Sequence, residues 1–332
     1  MPELRKDPIV DRWVIISTER GKRPFDFPPA RPKMQRGFCP FCYGNESKAP
    51  PEILAYRPDG SPPNAPGWRL RVVPNKFPAL KVEGDINRVG EGMFDKMSGI
   101  GAHEVIIETP DHESALEQLP VRNIEDCLWA FQQRIADLKK DSRFRYILIF
   151  KNHGEAAGAT LEHSHSQLIA LPIVPDLALQ ELAGAKRHYD YKERCIYCDI
   201  IAQERGSGRR VIEENDQFVA ISPYAPRFPF ETWIFPRYHA ARFESSGVNQ
   251  LPRCAQMLKN ILLRMRKALN EPPYNFVLHT APVKDNCDAY YHWHLEIMPK
   301  LTEMAGFEQG TGFYINYTPP EEAAETLRNV RT

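Results

Sequence analysis

The chain has 332 residues, which at roughly 100–200 residues per domain predicts two domains or one internally duplicated unit. Its 43 Lys+Arg balance 43 Asp+Glu, which argues against an electrostatic nucleic-acid binder, whose footprint is a basic excess. No run approaches the roughly 18 apolar residues of a membrane span, and the opening MPELRKDPIVDRW has no signal-peptide core, so the expectation is a cytoplasmic protein with neither membrane nor nucleic-acid partners.

In chain order, β-branched apolar runs predict strands at 13–17, 68–73, 103–108 and 145–150. Pro-rich stretches at 27–32 and 60–66 read as irregular surface connections. Ile124, Leu128, Phe131, Ile135 and Leu138 recur at spacings of three and four, which predicts a helix with a core-facing stripe. A second helical stretch, about 176–194, bridges to a repeat of the same order: strands at 216–221 and 231–235, a helix near 251–269 carrying Met257, Ile261 and Met265, then strands at 274–280 and 293–298. The expected fold is α+β, with two repeats at 1–175 and 176–332, each a mainly antiparallel sheet packed by helices.

The metal-type residues repeat with the elements. Glu104 stands eight residues before His112, and His163 follows His112 by 51; Glu231 stands eight before His239, and His292 follows by 53. Each half opens with C-x-x-C and closes with H-x-H. In a reducing compartment a C-x-x-C pair reads as a metal or redox motif, and four N/S ligands are what a closed zinc site needs. Cys39, Cys42, His112 and His163 supply one set, and Cys195, Cys198, His239 and His292 the other, with Glu181 and His279 able to join or replace ligands in the second. The alternative for His112 and His239 is a surface-loop histidine. Cys127, Cys254 and Cys287 are isolated and read as structural.

Between Lys151 and Gln167 a strand end leads through a small-residue loop into alternating histidines. Residues two apart in extended chain face one side, so His163, His165 and Gln167 share a surface. With His163 fixed by zinc, His165 is held beside it as a nucleophile for phosphorus. Gln167 can donate to a phosphoryl oxygen, and Gly154 and Gly158 let backbone N–H groups approach phosphates. The corresponding stretch of the second half reads His292-Trp-His294-Leu-Glu296, where a carboxylate replaces the amide. That copy is expected to be structural.

At these residues the sequence resembles the galactose-1-phosphate uridylyltransferase branch of the histidine triad superfamily, from Asp11-Arg-Trp-Val-Ile to the C-terminal Glu-Glu-Ala-Ala-Glu-Thr-Leu-Arg328. The resemblance implies two histidine-triad-like halves, a homodimer, zinc in both halves with iron as an option in the second, and ping-pong nucleotidyl transfer through His165 with Gln167 on the phosphoryl group. The implied partners are a nucleotide sugar and a sugar 1-phosphate. It further implies that Asn75 and Phe77 contact the nucleoside, that Asn152 and Thr160 lie near ribose and phosphate, and that Arg20 and Arg23 reach phosphate across the dimer interface. Gly310 and Phe313 fall, on a looser match, in a substrate segment. The best-known members read H-P-H-G-Q and hold iron through Glu and several His, a set that Glu181, His279, His292 and His294 resemble. Ser164, Ser166 and Ala159 depart from their pattern and resemble a branch that includes an adenylyltransferase using ADP-glucose with inorganic phosphate as acceptor. The leading expectation is UMP transfer from UDP-glucose to galactose 1-phosphate or a related hexose 1-phosphate. The ADP-glucose reaction is the alternative, and a non-catalytic two-zinc binding module stands behind both.

Overall fold

The computed structural model describes residues 2–18 and 38–332. Strands β1 (Glu3–Lys6), β2 (Trp13–Ile16), β3 (Leu54–Tyr56), β4 (Leu70–Pro74), β5 (Val89–Glu91), β6 (Phe94–Lys96) and β7 (Ala102–Ile107) precede helix α1 (Val121–Leu138), β8 (Tyr146–His153) and β9 (His165–Leu171). Then come α2 (Asp176–Lys192), α3 (Ile196–Ser207), β10 (Val211–Glu214), β11 (Phe218–Ile221), β12 (Thr232–Pro236), α4 (Leu251–Ala268), β13 (Tyr274–His279), β14 (His294–Pro299), α5 (Gly306–Thr311), β15 (Tyr314–Asn316) and α6 (Pro320–Asn329). The elements expected from periodicity are all present. Those not foreseen are the helices α3, α5 and α6 and the short strands β1, β3, β5, β6, β10 and β15, strands of three or four residues each, too brief for alternation to register.

The duplication is visible in the sheet. Ten strands run in the order β10-β11-β12-β14-β13-β8-β9-β7-β4-β3, so each half contributes five strands in the same relative order. The halves are not separate sheets: β8 pairs antiparallel with β13, Phe150 opposite Val277 and Asn152 opposite Asn275. A smaller sheet joins β1, β2 and β15.

Alternation along these strands divides the sheet into two unlike faces. On one, α1 and α4 pack together over a continuous core in which Ile124, Phe131 and Ile135 meet Leu258, Ile261 and Met265 above Ile106, Leu168, Phe276 and Ile297. Burial of each such side chain stabilises the fold by about 1.5–3 kcal/mol. The opposite face carries the chemistry, and over the second half it is roofed by Ile9 and the helices α2 and α3, through Leu182, Ala185, Ile196 and Tyr197. Gly184 makes that roof possible, since a Cβ there would stand 1.7 Å from the Ile9 carbonyl oxygen.

One repeat read from spacing is not a structural equivalence. Glu104 points to the helix face, where Arg134 of α1 donates to both its oxygens at 2.7 Å. Glu231 lies on the opposite face, receiving Trp233 Nε1 at 3.0 Å and the Arg227 guanidinium. Because His103 pairs with Ile169, two beyond Gln167, and Thr232 pairs with Ile297, one beyond Glu296, the register matches Glu231 with His103. The equal spacing to the following histidine conceals a loop one residue different in length.

Candidate active site and metal centres

Each C-x-x-C pair meets two histidines. Cys42 Sγ lies 3.3 Å from His112 Nδ1 and 3.7 Å from His163 Nδ1, with Cys39 Sγ also 3.7 Å from His163 Nδ1. Cys198 Sγ lies 3.4 Å from His239 Nδ1 and 3.6 Å from His292 Nδ1, and Cys195 completes this second cluster. A zinc tetrahedron with ordinary Zn–S and Zn–N bonds has an S···N edge of roughly 3.6 Å, so both donor sets fit that ion. The second shell agrees: His163 Nε2 is 2.7 Å from the Thr109 carbonyl, His239 Nε2 is 2.7 Å from that of Asp288, and His292 Nε2 is 3.0 Å from that of Pro236. A carbonyl only accepts, so each Nε2 carries the proton and each Nδ1 lone pair is left for a metal. All eight sequence-selected ligands are therefore brought together as two sets of four.

The first cluster anchors the start of β9. His165, two residues on, places Nδ1 2.7 Å from the His163 carbonyl, which fixes its proton there and leaves the Nε2 lone pair available. Burial, with the Lys151 ammonium nearby, pushes the His165 imidazole down to about 4, so it is neutral at pH 7. Phe41, from the C-P-F-C turn, sets its ring edge-on at 5.4 Å from the His165 ring. Gln167 shares this face, and its Oε1 meets His103 Nε2 at 2.9 Å.

Beneath the strand, Ser164 and Ser166 point the other way. Their hydroxyls donate to the two oxygens of Glu108 at 2.6 and 2.5 Å. Lys151 Nζ donates to Glu108 at 2.6 Å, to Ser164 Oγ at 3.1 Å and to the His165 carbonyl at 3.0 Å. Burial would raise the Glu108 carboxyl, but Lys151 and the two hydroxyls hold it below its usual range. Sequence reasoning assigned none of this to Glu108, Lys151 or His103. Strand parity was the available signal, because Glu108, the residue after β7, and Lys151 on β8 both fall on the side of β9 that carries the serines.

The other expected substrate residues flank this face unequally. Asn75 follows β4 and places Nδ2 3.1 Å from His103 Nε2, and Phe77 is 83% exposed beside it. Asn152 at the end of β8 accepts from Asn275 Nδ2 at 2.8 Å. Thr160 is exposed in the loop between Gly158 and β9, and Gly158, at φ +85°, takes a conformation that suits glycine. Gly310 and Phe313 belong to the segment feeding β15, whose Tyr314 packs on Phe228 and Ala225 of the second half. Arg20 and Arg23 lie outside the described residues.

The galactose-1-phosphate uridyl transferase N-terminal domain profile matches residues 68–175, and the C-terminal domain profile matches residues 181–309. An ADP-glucose phosphorylase from Arabidopsis thaliana is 39% identical over 99% of this chain and 93% of its own length. The chain belongs to the galactose-1-phosphate uridylyltransferase family. Its membership makes it a nucleotidyltransferase. A galactose-1-phosphate uridylyltransferase from Thermotoga maritima is 31% identical over 99% of this chain and 98% of its own. Among solved structures, an Arabidopsis thaliana ADP-glucose phosphorylase with bound ADP-glucose superposes at a TM-score of 0.85, with 36% identity and full coverage of both chains.

Within this family member the second half departs from the iron site that the resemblance implied. His292 is committed to the Cys195–Cys198 cluster, while Glu181, His279, His294 and Glu296 form a third group with ligand-type atoms within 4.8 Å of one another. The His279 and His294 rings stack with centroids 4.6 Å apart and planes 2° from parallel. Two stacked parallel imidazoles do not both aim an in-plane lone pair at one ion, and this group has Glu296 where the implied iron set has His292. Ion pairs link the group. Glu181 and Glu296 stand 3.2 and 3.4 Å from the two nitrogens of His279, and Arg227 bridges Glu231 to Glu296. Burial alone would lower the His279 pKa; the two carboxylates raise it to about 10. Among the described residues no helix is long and apolar enough to cross a membrane.

Proposed function

We propose that this protein transfers a nucleoside monophosphate from a nucleotide sugar through a covalent bond to His165 Nε2, with ADP-glucose as donor and inorganic phosphate as acceptor. The observation that carries the covalent step is the His165 Nδ1 contact with the His163 carbonyl, which leaves Nε2 free and accommodates the charge that forms on the ring. Nε2 bonds to the α-phosphorus as the bond to the sugar-phosphate oxygen breaks and glucose 1-phosphate leaves. A phosphate oxygen then attacks the same phosphorus, the N–P bond breaks, and ADP departs. Gln167 would stabilise the equatorial oxygens in both steps.

Zinc in both Cys/His clusters would hold the H-x-H segments rigid. The resemblance extends the reading to Asn75, Phe77, Asn152 and Thr160 on the nucleotide, a division of the chain at 175/176, and a cytoplasmic homodimer with Arg20 and Arg23 at phosphate. The 39% identity to an ADP-glucose phosphorylase supports adenine over uracil. The Thermotoga maritima relative supports the second reading, UMP transfer from UDP-glucose to a hexose 1-phosphate. Intact-protein mass after incubation with each nucleotide sugar, quenched at neutral or alkaline pH, tests both. We expect an adenylyl adduct from ADP-glucose that a His165→Gly protein lacks. A uridylyl adduct alone would establish the second reading, and no adduct from either would remove the covalent mechanism.

A further inference from the structure

A side-chain amide serves a phosphoryl group only when its NH2 end faces it, and nothing within glutamine itself sets that choice. For Gln167 the neighbouring ring does. The backbone N–H of Ala79 donates to His103 Nδ1 at 3.1 Å, so that nitrogen must offer a lone pair and the ring proton belongs on Nε2. Two groups approach Nε2: Asn75 Nδ2 at 3.1 Å and Gln167 Oε1 at 2.9 Å. Asn75 has its carbonyl oxygen engaged by the Phe77 N–H at 2.9 Å, which turns its NH2 toward the ring, where it has no lone pair to give. The His103 proton therefore goes to Gln167 Oε1, and the Gln167 NH2 is turned away from His103, with no hydrogen-bond partner among the described residues.

The second half supplies an internal comparison. Where Gln167 becomes Glu296, the register position of His103 holds Glu231, and Arg227 bridges the two carboxylates. The amide and the histidine are replaced together, as expected of a pair that acts as a unit.

We infer that His103 is a positioning residue for nucleotidyl transfer, holding Gln167 with its amide N–H groups toward the transferring phosphoryl group. The inference rests on the reading that His165 is nucleotidylated. Its first test is a double-mutant cycle on the rate of adduct formation, with melting temperature and zinc content as controls. His103→Leu, which removes the hydrogen bond, should slow the step by about ten- to a hundredfold. His103→Gln, which returns an N–H near the Nε2 position, should recover to within a few-fold of wild type. In a Gln167→Ala background, His103→Leu should cost nothing further. A His103→Leu protein at wild-type rate, or one whose loss persists undiminished in the Gln167→Ala background, overturns the proposal. A second measurement does not depend on turnover: long-range 1H–15N correlations of the His103 ring should show Nε2 protonated and Nδ1 bare, and the reverse tautomer would overturn the orientation argument even if no nucleotide sugar forms an adduct.

Discussion

The two halves of the sheet share strand order, a C-x-x-C and H-x-H metal cluster, and a helix on the same face, yet they differ on both sides of the H-x-H strand. In the first half the inward side is polar, with Ser164 and Ser166 hydrogen-bonded to the buried Glu108–Lys151 pair. In the second half the same inward positions are Trp293 and Leu295, both fully buried in the apolar core. On the outward side, no helix among the described residues covers His165 and Gln167, while His294 and Glu296 lie under α2 and Tyr291 within an ion-paired group. The fold thus shows that an apolar underside is sufficient to support this strand. A buried ion pair is seldom the more stable choice, so its presence beneath His165 alone points to a role in holding the reactive strand.

The comparison breaks most sharply at the histidines. His165→Gly should abolish nucleotidyl transfer, a loss of about 10⁴-fold or more, with zinc content and fold retained. His294→Asn should leave transfer within a few-fold: His294 Nδ1 also meets the His292 carbonyl, at 3.0 Å, but its ring is buried beneath α2 and stacked on His279; steady-state rates and intact mass together check this. A loss at His294 equal to that at His165 would mean that both halves take part in the chemistry. The metal clusters separate the halves next. Cys39→Ala should remove one zinc and most activity, since His163 sets the position of His165. Cys198→Ala should remove the other zinc and lower stability by several kcal/mol with a smaller effect on transfer. Metal analysis beside unfolding curves reads both.

The polar underside gives a finer test. Lys151→Met alone leaves Glu108 buried and uncompensated, and should destabilise by about 3–5 kcal/mol. Replacing the group together (Lys151→Met, Glu108→Leu, Ser164→Ala, Ser166→Ala) should restore stability to within about 2 kcal/mol of wild type or exceed it. If the network holds the strand for chemistry, transfer in that protein should remain reduced by about tenfold; full activity would show the network to be dispensable.

Much of this was legible in the sequence. Helical periodicity gave α1 and α4, and the spacing of Cys39, Cys42, His112 and His163 against Cys195, Cys198, His239 and His292 gave both metal clusters, because ligand chemistry restricts the residue types that can serve. Alternation placed His163, His165 and Gln167 on one face. Register was not legible: a one-residue slip exchanges the faces of a strand, and counting to the next histidine made Glu104 the twin of Glu231 when His103 holds that place. The joining of the halves through β8 and β13 left no local signal, since either strand reads the same paired to its own half alone. Three members of the third cluster, Glu181, His279 and His294, were expected together with His292; Glu296 takes the fourth place and His292 belongs to the Cys195–Cys198 cluster.

The smallest expected effect concerns what else covers the second half. Glu321, in the first turn of α6, accepts from Arg5 of β1 at 3.0 Å and from Arg210 beside β10 at 2.7 Å, so it ties the N-terminal strand and the last helix to the edge of the second half. Burial would raise its carboxyl, but the two guanidinium hydrogen bonds pull it down to about 2. The folded pKa lies below the unfolded value of roughly 4.3, so the stabilisation is complete above that pH and is lost as pH falls toward 2. It amounts to on the order of 2 kcal/mol. Glu321→Gln should lower stability at pH 7 by about that much and flatten the acid limb of a stability profile between about pH 5 and 2. Adduct formation at His165 should be unchanged, because this clamp holds the covered half of the sheet and touches nothing on the reactive one. A parallel fall in transfer rate would show that the second half's covering reaches the active strand through the β8–β13 seam.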